Sequence, residues 1–90
     1  MAIVGMDVEQ VQGLGNNLKN QAEAIGQVIA AVNGLVQHSQ EVWKGHDASE
    51  FLGYWEHQHR PALQHVMEAV SGLGQSAMNN ASEQSQVSGH

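Results

Sequence analysis

The stretch Glu41-Val42-Trp43-Lys44-Gly45-His46-Asp47-Ala48-Ser49-Glu50 interrupts one long run of helical periodicity and opens a second. Gly45 suits a helix end, because glycine alone takes the left-handed conformation without steric cost and can present its N–H to a terminal carbonyl. Lys44 puts a positive charge at the negative end of the helix dipole. Trp43, the last apolar residue of the first run, is placed to lay its indole across the gap between two helices near Phe51 or Leu52. Asp47 with Glu50 three residues later has the form of a capping box, so the turn spans about 44–47 and the second helix starts near Ala48.

Upstream, Asp7 and Gln10 make a similar cap, and helix periodicity runs from about Val8 to Trp43. Three adjacent heptad rows hold every apolar side chain larger than alanine between Gln10 and Trp43. They are Val11, Leu18, Ile25, Val32 and Ser39; Leu14, Gln21, Val28, Leu35 and Val42; and Gly15, Ala22, Ile29, Val36 and Trp43. At ~1.5 Å per residue such a helix is about 50 Å long. Two rows suffice for a two-stranded coil, whereas three cover an arc that touches two neighbouring helices. Gly13, Gly26 and Gly34 fall on the opposite face by this spacing, each at a cost of ~1 kcal/mol relative to alanine.

Downstream, an equivalent stripe reads Ala48, Leu52, Trp55, His59, Ala62, Leu63, Val66, Ala69, Val70, Leu73 and Ala77, with Met67 and Met78 off it. Its small members leave room for the larger aliphatics of the first helix. Pro61 removes the hydrogen bond to the His57 carbonyl and clashes with the preceding turn, about 3 kcal/mol in a regular helix, so a kink or restart is expected near 60–61. The segment NNASEQSQVSGH from Asn79 to His90 offers one large apolar residue, Val87, and is expected to be a flexible polar tail. The chain therefore reads as all-α: a hairpin over 1–78 and a tail over 79–90.

Composition narrows the function. Ninety residues form one small domain that is marginally able to bury a sufficient core. Three basic residues against nine acidic ones, a formal charge of −6, oppose binding to nucleic acid or anionic lipid. No segment has the length and apolarity of a membrane span, the opening MAIVGMDVEQ lacks the pattern of a Sec signal, and there are no cysteines for disulfides or thiolate metal sites. His57, His59 and His65 lack the four-residue spacing that places two ligands on one helical face, so no metal or other cofactor is expected. His59 falls on the stripe, where it reads as a core or interface imidazole. Glu56 and Arg60 form an i,i+4 pair worth a few tenths of a kcal/mol. No nucleophile elbow or phosphate-binding glycine motif occurs, Gly13-Leu14-Gly15 lies within a helix, and catalysis is not expected.

A Trp43-Lys44-Gly45 turn halfway along a cysteine-free chain of this length, with a capped amphipathic helix on each side, resembles the WXG family of small type VII (ESX) secretion substrates. The resemblance covers about Met6 to Ala77 and includes Asp47, Phe51 and Trp55 after the turn. It implies a hairpin that pairs with itself or a second WXG-type protein as a four-helix bundle. It further implies a folded pair, assembled in the cytoplasm and exported without a cleaved signal peptide by a membrane-embedded secretion ATPase, with Trp43, Lys44 and Gly45 as a recognition turn. The family's export element, Tyr-x-x-x-Asp/Glu after the second helix, is missing here; Tyr54 is the only tyrosine and Gln58 follows it at that spacing. A partner carrying that element, a divergent element in Asn79 to His90, and a member that stays in the cell are all compatible with this departure. The stripes assign to the dimer interface Val11, Leu14, Leu18, Ile25, Val28, Ile29, Val32, Leu35 and Val36 of the first helix and Leu52, Trp55, Leu63 and Val66 of the second. A cytosolic adaptor that assembles with another coiled-coil protein is the alternative, and a membrane-perturbing amphipathic effector is disfavoured by the acidic polar faces.

Overall fold

A computed structural model describes residues 5–88. Among them all regular structure is helical: α1 spans Val8–Val42, α2 His46–Tyr54, a π-helical turn Trp55–His59, and α3 Arg60–Ser88. The residues form two compact units, one joining α1 up to Ala22 with α3 from Ala69, the other comprising Glu23–Glu68.

Helix α1 begins at the expected cap, where the Gln10 N–H donates to Asp7 Oδ1 at 3.1 Å and the Val11 N–H to the Asp7 carbonyl at 3.0 Å. At its other end the Lys44 ammonium donates to the Gln40 carbonyl, satisfying one of the last acceptors of the helix. Gly45 takes a different role from the one its position suggests. With φ +115° and ψ −175° it occupies backbone space that is essentially restricted to glycine, but it stands at the N-terminus of α2, where the Ser49 N–H donates to its carbonyl at 3.2 Å. The Asp47–Glu50 box does not form, because α2 starts two residues earlier, with Gly45 in the capping place; Glu50 approaches His46 Nε2 at 3.1 Å instead.

In the Glu23–Glu68 unit the chain doubles back at Trp43–Gly45, and Ile29 and Val36 of α1 close a core with Trp55. Ile25, Val32, Leu52, Leu63 and Met67 pack around it. Trp55 is 5% exposed, and its indole N–H donates to Asn33 Oδ1 at 3.0 Å. Burying an indole this thoroughly requires a partner for its N–H, and Asn33 supplies one from the facing helix.

The break expected near Pro61 takes the form of the π-helical turn. The Arg60 N–H reaches back five residues to the Trp55 carbonyl, and α3 resumes at Arg60. The widened turn makes room for the proline ring and inserts about one residue into the helical phase. Two of the three rows of the second stripe are displaced accordingly, while Leu63, Val70 and Ala77 remain half-buried. Instead of His59, Val66 and Leu73, the positions facing inward in their respective units are Arg60, Met67 and Gly74, and His59, Val66 and Leu73 are exposed. Met67 and Met78, assigned to the outside by ideal spacing, are half-buried for the same reason.

In the other unit, Gly74 lies against Gly15. A β-carbon on Gly74 would stand 2.7 Å from the Gly15 carbonyl oxygen, and one on Gly15 2.8 Å from that of Gly74, so the helices meet backbone to backbone. The polar segment after Asn79 corrects the expected tail: α3 continues to Ser88. Ala81 is fully buried, the Asn80 amide donates to the Ser76 carbonyl at 2.8 Å, and Gln75 Nε2 donates to Asn79 Oδ1 at 2.9 Å. Gly26 is also misplaced by simple spacing, since its β-carbon would meet Met67 Sδ at 3.2 Å; nothing in the structure explains glycine at 13 or 34.

These contacts set an order of mutational cost. Trp55→Ala should lower unfolding free energy by about 3–5 kcal/mol. Gly74→Ala should cost about 1–3 kcal/mol by forcing backbones apart, whereas Gly34→Ala, with open space around it, should stabilise by up to about 1 kcal/mol. Urea denaturation followed by circular dichroism measures all three, and equal effects of the two glycine replacements would contradict the close crossing.

Candidate interaction surface

The three rows of α1 separate by exposure. Gly15, Ala22, Ile29 and Val36 are buried within their own units; Val11, Leu18, Ile25, Val32 and Ser39 are half-buried; and Leu14, Val28, Leu35 and Val42 are exposed. Geometry explains the gradient: the rows lie about 100° and 40–60° apart around a 3.6-residue helix, so one opposing helix covers the first, grazes the second and misses the third. Exposure reaches 54% at Val28, 69% at Leu35 and 72% at Val42. An apolar row of this kind, interrupted only at Gln21, is unusual on a finished surface.

The residues assigned to the dimer interface therefore fall into distinct groups. Ile29, Val36 and Trp55 belong to the core of the Glu23–Glu68 unit, and Ile25, Val32, Leu52 and Leu63 pack against that core. Val11 and Leu18 are half-buried. Leu14, Val28, Leu35 and Val66 remain exposed and available to another molecule. Sequence spacing did not distinguish these groups, since within each arm their members share one apolar stripe.

The W-x-G turn adds a second exposed apolar feature. Trp43 is 41% exposed, and its ring packs on Phe51 at a centroid distance of 5.3 Å and an interplanar angle of 51°. The pair holds the indole at the corner without burying it. Trp43 is thus not a core anchor; Trp55, one turn into the second arm beyond Phe51, has that function. The Gln40 amide braces the corner by donating to the Ala48 carbonyl at 3.1 Å.

The one polar cluster on the inner side of this unit was only half visible in sequence. Asn33 Oδ1 accepts from both Trp55 Nε1 and Arg60 Nη1, the latter at 3.2 Å, and the Arg60 guanidinium also pairs with Glu56. The Glu56–Arg60 spacing was legible; the role of Asn33 was not, because no local pattern tells which residue of α1 faces the indole. Two shallow grooves flank Arg60, of about 250 and 460 Å³. Among the described residues no group of three histidine, aspartate or glutamate side chains converges to hold a metal, and no helix is long and apolar enough to cross a membrane.

No protein-family model matches the chain, and no curated protein or solved structure matches it.

Asn33→Ala should destabilise the protein by about 1–3 kcal/mol by stripping the acceptor from a buried indole N–H. Trp43→Ala should cost only about 1–2 kcal/mol, mostly the pairing with Phe51. Thermal melts of the two variants test this; a Trp43 effect as large as that of Trp55 would place the indole in the core.

Proposed function

We propose that this chain is a non-enzymatic, WXG-type substrate or co-secreted partner of a type VII (ESX) secretion system. It acts by pairing with itself or a second W-x-G protein into a four-helix bundle, and by displaying Trp43-Lys44-Gly45 as part of an address read by the secretion ATPase. The pair assembles in the cytoplasm and is secreted without a cleaved signal peptide. The observation that carries this reading is the separation of labour along the two arms. Trp55, Ile29 and Val36 form the core, while Leu14, Val28, Leu35 and Val42 and the Trp43–Phe51 corner stay at the surface. A side chain as hydrophobic as tryptophan costs free energy when left in water, and a glycine-restricted conformation at Gly45 fixes the corner that presents it. Both features suit recognition by another protein.

Fractionation of cultures with and without the export ATPase tests the proposal. The protein should accumulate in the medium of the parent strain and remain in the cells of the ATPase mutant, and Trp43→Ala should reduce export while leaving the protein folded. Retention in the cells of both strains would instead support the cytosolic adaptor.

A further inference from the structure

Two glycines of α1 stand opposite methionines of α3. A β-carbon on Gly15 would lie 2.5 Å from Met78 Cγ, and one on Gly26 3.2 Å from Met67 Sδ. A thioether settles against bare backbone where a branched side chain would not, because it is slender, flexible and polarisable. The surroundings of Met67 give it a further property. It packs on the core formed by Ile29, Val36 and Trp55, yet it also lines the open groove of about 250 Å³ bordered by Gly26, Asn33, Arg60 and Gln64. Met67 is thus half-buried, a member of the core margin that solvent still reaches. The chain has no cysteine, so thioethers are the only sulfur it offers to an oxidant.

We propose that Met67 is an oxidation site for hydroperoxides, and that its conversion to the sulfoxide loosens the core around Trp55. The chemistry is a two-electron oxygen transfer. A lone pair on Sδ attacks one oxygen of hydrogen peroxide, the S–O bond forms as the O–O bond breaks, and the proton on the transferred oxygen passes to the departing hydroxide. Sulfur is oxidised and the peroxide is reduced to water, with no other co-reactant consumed. Access is sufficient, since the groove is several times the ~30 Å³ share of one water molecule and hydrogen peroxide is little larger.

Packing decides the consequence. The sulfoxide turns an apolar side chain into a polar one. An oxygen directed toward Ile29 and Trp55 meets no free donor, because the indole N–H is already given to Asn33, and a polar atom buried without a partner is costly. On the groove side stand the Gln64 amide and the Arg60 guanidinium, both donors. The oxidised side chain therefore turns out of the core toward them and leaves a void beside Trp55. Nothing in this depends on pairing or export.

The test uses the full-length chain carrying Trp43→Phe, so that Trp55 is its sole tryptophan. Folded protein is treated with hydrogen peroxide and mapped by peptide mass spectrometry. Met67 should gain one oxygen, Trp55 emission should move to the red, and the melting midpoint by circular dichroism should fall by roughly 5–10 °C. Methionine sulfoxide reductases acting on both epimers should reverse the emission shift. Met67→Leu, which conserves volume, should keep its Trp55 emission in peroxide. An emission shift in the Met67→Leu protein equal to that of the parent would overturn the proposal. The parent decides it independently of that variant: Met67 remaining reduced in the folded protein, or a Met67 sulfoxide that leaves emission and midpoint unchanged, would overturn it as well.

Discussion

The hairpin depends on one buried indole. Trp55 fills the space between Ile29 and Val36, and its N–H is satisfied from the facing helix by Asn33, which also receives Arg60. The hydrophobic contact is non-directional and would tolerate sliding of one helix on the other; the hydrogen bond is directional, and it is made only where Asn33 stands opposite the indole N–H. The polar contacts at Asn33, from Trp55 and Arg60, thus favour one register of the two arms in this unit.

Pro61 then decides what the second arm exposes. The ring cannot sit in a regular α-helical turn, the backbone widens over Trp55–His59, and the extra residue advances α3 by about 100°. That rotation brings Met67 toward the core and leaves Val66 at the surface, so an imino acid alters the composition of a face several residues away. Flexible methionine suits the inward place, adapting to the space that Gly26 leaves open on α1.

Much of this was legible from particular residues. The cap at Asp7, the corner at Trp43–Gly45 and the three rows of α1 follow from side-chain chemistry and a period of 3.6, and the row furthest from the hairpin partner is the one the structure leaves exposed. Where the reading failed, the cause was non-local. Part of the second stripe was displaced because the π-helical turn breaks the ideal period, and the helix beyond Asn79 was missed because the burial of Ala81 leaves no mark in a polar local sequence. Trp43 and Trp55 look alike as aromatic anchors on a stripe, and only packing separates a surface corner from a core.

By itself, the sequence determined that the chain is helical, where it turns, and that its first helix carries more apolar surface than one neighbour can cover, because these properties reside in periodicity and in the backbone preferences of single residues. Tertiary structure alone decided which tryptophan is buried, which row stays in water and how the second helix is phased. Those outcomes depend on which atoms face each other across the hairpin, and a local pattern specifies the face of a helix without specifying what stands opposite it.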